Sequence, residues 1–90
     1  MTRIHNFAAG PSTLPLPTLE EAAKKMVDFE GQGMSLIEMS HRGKTFDAVH
    51  NETITLLREV FEIPENFHVL FLQGGATLQF GMIPMAFLGQ

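Results

Sequence analysis

The segment at residues 68–73, HVLFLQ, limits the possible folds more than any other stretch of this chain. Its apolar residues do not alternate with polar ones, and Asn66 and Gly74 bound it on either side. A strand covered on both faces has this pattern, which is typical of parallel sheets. The sequence therefore predicts a buried strand over 68–73. Because one strand cannot form a sheet, we expect the chain to be the opening part of a larger α/β domain.

The N-terminal stretch is predicted to be an extended arm followed by a helix. Residues 1–17 hold three of the five prolines and are expected to form the arm. Thr18 then has the features of an N-cap, since Glu21 follows three residues later in the capping-box pattern. Apolar residues continue at helical spacing, so we predict a first helix over about 18–30, ended by Gly31.

A second amphipathic helix is predicted after a short connecting segment. Residues 33–40 nearly alternate between apolar and polar, which fits a short strand or an extended connector. Lys44 or Thr45 then opens the helix, and Pro64 and Asn66 end it.

A glycine pair, Gly74-Gly75, separates the predicted strand from a third predicted helix. The residues that follow are apolar nearly all round, which predicts a buried helix that accommodates Pro84 through a kink or a late start. A helix start has unpaired amides and partial positive charge, and glycine lets a ligand approach the backbone. The turn, with the Thr77 hydroxyl, fits a cup for an anion such as phosphate. A tight turn that needs glycine only for its dihedral angles explains the same residues.

The composition excludes several classes of protein. The 90 residues are 44% hydrophobic and 18% charged, which is too apolar for a disordered chain. The net charge of −4 without a basic patch argues against nucleic acid as a partner. No cysteine is present, and the four histidines match no standard spacing of metal ligands, so no metal is expected. We see no signal peptide and no apolar stretch long enough to cross a membrane, and we expect a cytoplasmic protein.

His41 and Arg42 are a second candidate for ligand binding. They lie on a predicted turn just before a helix, where both side chains can face a ligand. The guanidinium of Arg42 suits a carboxylate or phosphate, and His41 can donate or accept a hydrogen bond near neutral pH. A solvated arginine beside a histidine that caps the local backbone explains the same residues.

Three stretches together resemble the N-terminal part of the phosphoserine aminotransferase family. They are listed in chain order: NFAAGPSTLP at 6–15, GMSLIEMSHRGKTF at 33–46 and VLFLQGGATLQFGMIPMAFLG at 69–89. The family consists of homodimeric, pyridoxal 5'-phosphate-dependent enzymes of the fold-type I, class V group. The resemblance implies amino transfer between glutamate and 3-phosphohydroxypyruvate, which gives phosphoserine and 2-oxoglutarate in serine biosynthesis. Some members also act in pyridoxine biosynthesis.

The resemblance also assigns roles to individual residues. It implies that Gly75, Ala76 and Thr77 form the cofactor-phosphate cup through their backbone amides. It implies that Arg42, with His41 near it, binds the anionic end of the substrate, and that Ala9 lies at the substrate site. Some members have Arg at position 77 and Ser at position 9, so contacts through those side chains differ here.

In the family, the lysine that forms the Schiff base lies beyond the equivalent of residue 90. We therefore expect residues 18–90 to be an incomplete start of the large cofactor-binding α/β domain. No catalytic residue is assigned, and the 90 residues alone are expected to be inactive. Two alternatives stay open: a fragment of another class V enzyme, of the alanine–glyoxylate or serine–pyruvate type, or a small helical module that binds a partner.

Overall fold

The computed structural model describes residues 2–89 and contains three α-helices in that range. They are α1 (Leu16–Lys25), α2 (Lys44–Val60) and α3 (Gly75–Phe87), with a 3₁₀ helix at Leu36–Glu38 between the first two. The chain divides into two compact units, one that runs to Glu52 and one that begins at Thr53. The boundary lies within α2.

Within residues 2–89, no helix is both long enough and apolar enough to cross a membrane.

Helix α1 begins and ends earlier than the sequence predicts. Its N-cap is Pro15 rather than Thr18, and the predicted capping box with Glu21 is therefore wrong. Pro17 lies in the first turn of the helix, where its fixed φ is compatible with the helix and its missing N–H would have no intrahelical partner. The carboxylate of Glu21 instead pairs with the Lys25 ammonium one turn later, at 2.8 Å.

Helix α1 ends at Lys25, before Gly31, and a side chain organises the loop that follows. The carboxylate of Asp28 accepts hydrogen bonds from the backbone amides of Gly31, at 2.9 Å, and Gly33. These local side-chain bonds hold the backbone of residues 28–33 in a turn. The ring of Phe29 is buried within this loop, and the Lys25 ammonium lies 5.3 Å from its centroid.

The segment at residues 33–40 contains a helical turn rather than a strand. Ser35 is buried at 3% exposure, and both its amide and its hydroxyl donate to Glu38 Oε1 at 3.1 Å. The amide of Glu38 returns a bond to the carbonyl of Ser35 at 3.2 Å. The capping pattern expected at Thr18 is thus found at Ser35.

Helix α2 starts at Lys44, as predicted, and ends at Val60. A residue in the left-handed region follows shortly after this end. Glu62 has φ 52°, and the amide of Ile63 donates to the carbonyl of Arg58 at 3.0 Å. This is a Schellman-type end, in which a residue in the left-handed region lets the chain reverse; glycine usually occupies that position. The guanidinium of Arg58 then donates to two carbonyls of the following loop, at 3.2 and 2.9 Å.

The predicted buried strand at 68–73 is wrong for the described residues 2–89, where no strand forms. Val69 is half-buried, whereas Leu70, Phe71 and Leu72 are 70%, 52% and 55% exposed. A strand requires a neighbouring strand for its ladder of backbone hydrogen bonds, and residues 2–89 supply none. The segment leads directly into the glycine pair.

Helix α3 forms where the sequence predicts a helix, but it is not buried. It begins at Gly75, which excludes a late start, and it continues through Pro84. Phe80 is 82% exposed and Met85 is 79% exposed. Large apolar side chains in solvent are what a helix presents when the surfaces that would cover it belong to other segments.

Candidate functional site

The glycine pair forms a left-handed entrance to α3. Gly74, the N-cap, has φ 92° and ψ −1°, and Gly75 has φ 59°. Residues with a Cβ rarely adopt positive φ, so both positions favour glycine for the backbone alone. A Cβ on Gly74 would also overlap the side chain of Leu78, approaching Cγ to 2.8 Å and Cβ and Cδ2 more closely. A Cβ on Gly75 would meet nothing within 4 Å.

This entrance leaves the first amides of α3 available to a ligand. The first helical hydrogen bond runs from the Leu78 amide to the Gly74 carbonyl at 3.2 Å, so the amides of Gly75, Ala76 and Thr77 precede it. No side chain in the described part of the chain caps them, and all three residues are exposed. Within residues 2–89 the Thr77 hydroxyl has no protein partner. Amides at a helix start, together with its partial positive charge, form a site for an anion.

The turn that carries His41 and Arg42 is shaped by Ser40. The Ser40 hydroxyl accepts a hydrogen bond from the Arg42 amide at 3.1 Å, and the Ser40 carbonyl accepts one from the Gly43 amide at 3.0 Å. The carbonyl of Gly43 then accepts the first bond of α2, from Asp47, at 3.0 Å. In the described part of the chain, the side chains of His41 and Arg42 are exposed and bond to no other protein group. The turn fixes the backbone at Arg42, and the exposed guanidinium can bind a carboxylate or phosphate.

Ala9 lies in the N-terminal arm, in a bend just before Gly10. The residue is exposed and its methyl group offers no hydrogen bond. Its position is set by the arm around it. The amide of Ala8 donates to Asn6 Oδ1 at 2.9 Å, and the Thr13 hydroxyl donates to the Asn6 carbonyl at 2.9 Å.

The predicted site residues divide between the two units. Ala9, His41 and Arg42 belong to the unit that runs to Glu52. The residues at the start of α3, 75–77, belong to the other unit. Sequence reasoning missed the residues that shape these segments: Ser40 for the arginine turn, and Asn6 and Thr13 for the arm. The sequence does contain a signal for two of these residues. Ser40 and Asn6 each lie two positions before the amide that they bind, and serine and asparagine side chains commonly bond to nearby backbone in turns.

Comparison with known proteins gives the class of protein. The aminotransferase class-V family model matches residues 4–90. The chain belongs to the class-V aminotransferase family.

Two similar relatives are phosphoserine aminotransferases. The chain is 60% identical over 86 residues to the phosphoserine aminotransferase of Lysinibacillus sphaericus, covering 96% of this chain and 24% of that protein. It is 53% identical over 90 residues to the phosphoserine aminotransferase of Halalkalibacterium halodurans, covering all of this chain and 25% of that protein. The chain thus spans about a quarter of the length of the curated relatives it matches.

Solved structures give the same result for the fold. The phosphoserine aminotransferase from Bacillus circulans subsp. alkalophilus superposes with a TM-score of 0.89 at 50% identity, over 98% of this chain and 25% of that one. The pyridoxal-phosphate-bound phosphoserine aminotransferase from Trichomonas vaginalis superposes with a TM-score of 0.92 at 48% identity, over 98% and 24%. The chain therefore shares its fold with part of two phosphoserine aminotransferases, although the predicted buried strand is absent from residues 2–89.

Proposed function

We propose that this chain is the N-terminal part of a phosphoserine aminotransferase. Such an enzyme moves an amino group between glutamate and 3-phosphohydroxypyruvate, giving phosphoserine and 2-oxoglutarate. The observation that carries the proposal is the 60% identity over 86 residues to a protein of that name. In this proposal residues 1–17 are an arm and residues 18–90 begin the large cofactor-binding domain. Family membership argues against the alternative of a free-standing helical module.

Pyridoxal 5'-phosphate fits the residues at the start of α3. The amides of Gly75, Ala76 and Thr77 precede the first helical bond and have no side-chain cap, and a Cβ on Gly75 would meet nothing, so the backbone is open to an anion. The helix dipole adds about 0.3–1 kcal/mol for an exposed anion and up to ~2 kcal/mol for a partly buried one. The bound cofactor supplies an electron sink for chemistry at the substrate's α-carbon.

Arg42 is proposed to hold the anionic end of the substrate. Its planar fork can donate two parallel hydrogen bonds to one carboxylate, which fixes orientation as well as charge. His41 adds a second polar group on the same turn, and Ala9 supplies a small apolar contact from the arm. Association as a homodimer and a cytoplasmic location are parts of the same proposal.

The test uses the complete translated product of the gene that encodes these residues, here called the complete gene product. With pyridoxal phosphate and 2-oxoglutarate, we expect phosphoserine to serve as amino donor and alanine to serve poorly. Preference for alanine would favour an enzyme of the alanine–glyoxylate or serine–pyruvate type. The absence of any amino transfer would refute the proposal.

A matched pair of variants tests the role of Arg42. Arg42→Gln removes a positive charge and the fork, and it should raise the KM for phosphoserine by at least tenfold, since hydrogen bonds to charged groups contribute roughly 1.5–3 kcal/mol. Lys24→Gln removes the same charge from the exposed surface of α1 and should leave the KM unchanged. Equal effects of the two variants would mean that only net charge matters.

A further inference from the structure

Side-chain hydrogen bonds join the two limbs of the N-terminal arm, which are the residues before Ala9 and the residues after it. The Thr13 hydroxyl reaches seven residues back to the Asn6 carbonyl at 2.9 Å, and Arg3 Nη1 donates to the Leu14 carbonyl at 3.2 Å. Within the first limb, the Ala8 amide donates to Asn6 Oδ1 at 2.9 Å. The two bonds made by Asn6, one to Thr13 and one to Ala8, are called the arm clasp below.

The arm clasp encloses the stretch that contains Ala9. Residues 7–12 belong to no helix or strand, and all are exposed. Such a stretch has no hydrogen-bond ladder of its own, so it samples many backbone conformations unless its ends are fixed. The arm clasp fixes both ends: one bond lies immediately before Ala9, and the other joins the limbs on either side of it.

We propose that Asn6 and Thr13 are positioning residues that set the place of Ala9 against the substrate. This inference rests on the proposed function, because Ala9 matters only if the arm borders a substrate. Neither residue needs to touch the substrate: Asn6 acts through the Ala8 amide, and Thr13 acts through the Asn6 carbonyl. An arm without the arm clasp must be ordered when substrate binds, and the cost of that ordering weakens binding.

The experiment compares three variants of the complete gene product. Thr13→Val keeps the shape of the side chain and removes its donor, and Thr13→Ser keeps the donor. Thr18→Val makes the same chemical change as Thr13→Val at an exposed position of α1, where the hydroxyl has no side-chain hydrogen bond within residues 2–89. Thr13→Val should raise the KM for phosphoserine about 3- to 10-fold, the size of one net hydrogen bond, with kcat within about twofold. Thr13→Ser should restore the KM, and Thr18→Val should not change it.

Amide hydrogen exchange provides a readout that does not depend on turnover. Asn6→Ala removes the acceptor for the Ala8 amide, whereas Asn6→Asp keeps an acceptor oxygen in the same position. Exchange at Ala8 should be several-fold faster in Asn6→Ala than in Asn6→Asp. Equal exchange rates would overturn the bond between Asn6 and Ala8 in the arm clasp, whatever substrate the protein uses.

The outcomes separate this inference from the proposed function. If the unsubstituted protein transfers no amino group from phosphoserine, the proposed function fails and the positioning role fails with it. If the protein is active but Thr13→Val has the same KM for phosphoserine as Thr18→Val, the positioning role fails while the function stands. A fall in thermal stability of Thr13→Val with an unchanged KM would assign Thr13 a purely structural role and would also overturn the inference.

Discussion

Replacing the two glycines at the start of α3 by alanine should have unequal effects, and the structure gives the size of each. At Gly75, φ is 59° and a Cβ would have open space, so only the backbone resists substitution. An L-residue in the left-handed region costs about 1–2 kcal/mol. At Gly74 the same backbone cost applies, and the new Cβ would also overlap Leu78.

The overlap at Gly74 cannot be relieved by rotating a side chain. It involves Cβ of Leu78, whose place is fixed by the helix backbone, as well as Cγ at 2.8 Å. Overpacking of this kind costs about 1–3 kcal/mol, so Gly74→Ala should lose about 2–5 kcal/mol in all. Gly75→Asn should lose less than Gly75→Ala, because asparagine tolerates positive φ better than alanine does.

Urea unfolding of the complete gene product, with and without saturating pyridoxal phosphate, measures these losses. A strained helix start lowers either the free energy of unfolding or the affinity for the cofactor, and the difference between the two series separates these effects. If Gly75→Ala had the same free energy of unfolding as the unsubstituted protein, both with and without pyridoxal phosphate, the left-handed entrance would not be required. If Gly74→Ala lowered the free energy of unfolding no more than Gly75→Ala does, the overlap with Leu78 would not limit position 74.

Three further predictions concern single side chains. Arg58→Lys keeps the charge but cannot donate to both loop carbonyls after α2, and it should lower the free energy of unfolding by about 1 kcal/mol, read from urea midpoints; a neutral result would mean that one donor suffices. Asp28→Ala removes the acceptor of two backbone amides after α1 and should cost about 1–2 kcal/mol in the same assay, with Asp28→Asn in between; equal losses would show that acceptor number is irrelevant. The hydrogen bond from Lys25 holds the pKa of Glu21 below its ordinary value of 4.5, and the bond to Glu21 holds the pKa of Lys25 above 10.5. The contribution of the pair to α1 is therefore complete between those values. It is lost as pH falls through the lowered Glu21 pKa, or as pH rises through the raised Lys25 pKa. Lys25→Gln should return the Glu21 pKa, followed by carboxyl ¹³C NMR, toward 4.5, and an unchanged pKa would contradict the pairing.

The sequence by itself determined features whose hydrogen bonds are local. The start of α2 at Lys44 follows from an amphipathic pattern after a turn, and the start of α3 follows from a glycine pair before an apolar run. Both depend on residues within a few positions of each other, so they can be read from the chain directly. The resemblance of three separated motifs to the phosphoserine aminotransferases was likewise a property of the sequence alone, and it agrees with the family to which the chain belongs.

The sequence was less informative where side chains bond to backbone several residues away. The loop after α1 is organised by the Asp28 carboxylate, which accepts from two later amides, and α2 ends with Glu62 in a conformation that usually belongs to glycine. Thr18 and Ser35 both precede a glutamate by three residues, yet the capping bonds form only at Ser35. Identical local patterns therefore had different outcomes, because α1 already begins at Leu16 and Thr18 lies inside the helix rather than at its N-cap.

Only tertiary structure decides whether residues 68–73 form a strand and whether α3 is buried. Their apolar sequence is that of a segment covered on both faces, but a strand needs a neighbouring backbone for its hydrogen bonds, and burial needs other surfaces. Residues 2–89 provide neither, so Leu70 and Phe80 remain exposed in a stretch whose sequence is that of a protein core. The pattern of side chains records what a segment is suited to contact, and the contact itself depends on chain distant in sequence.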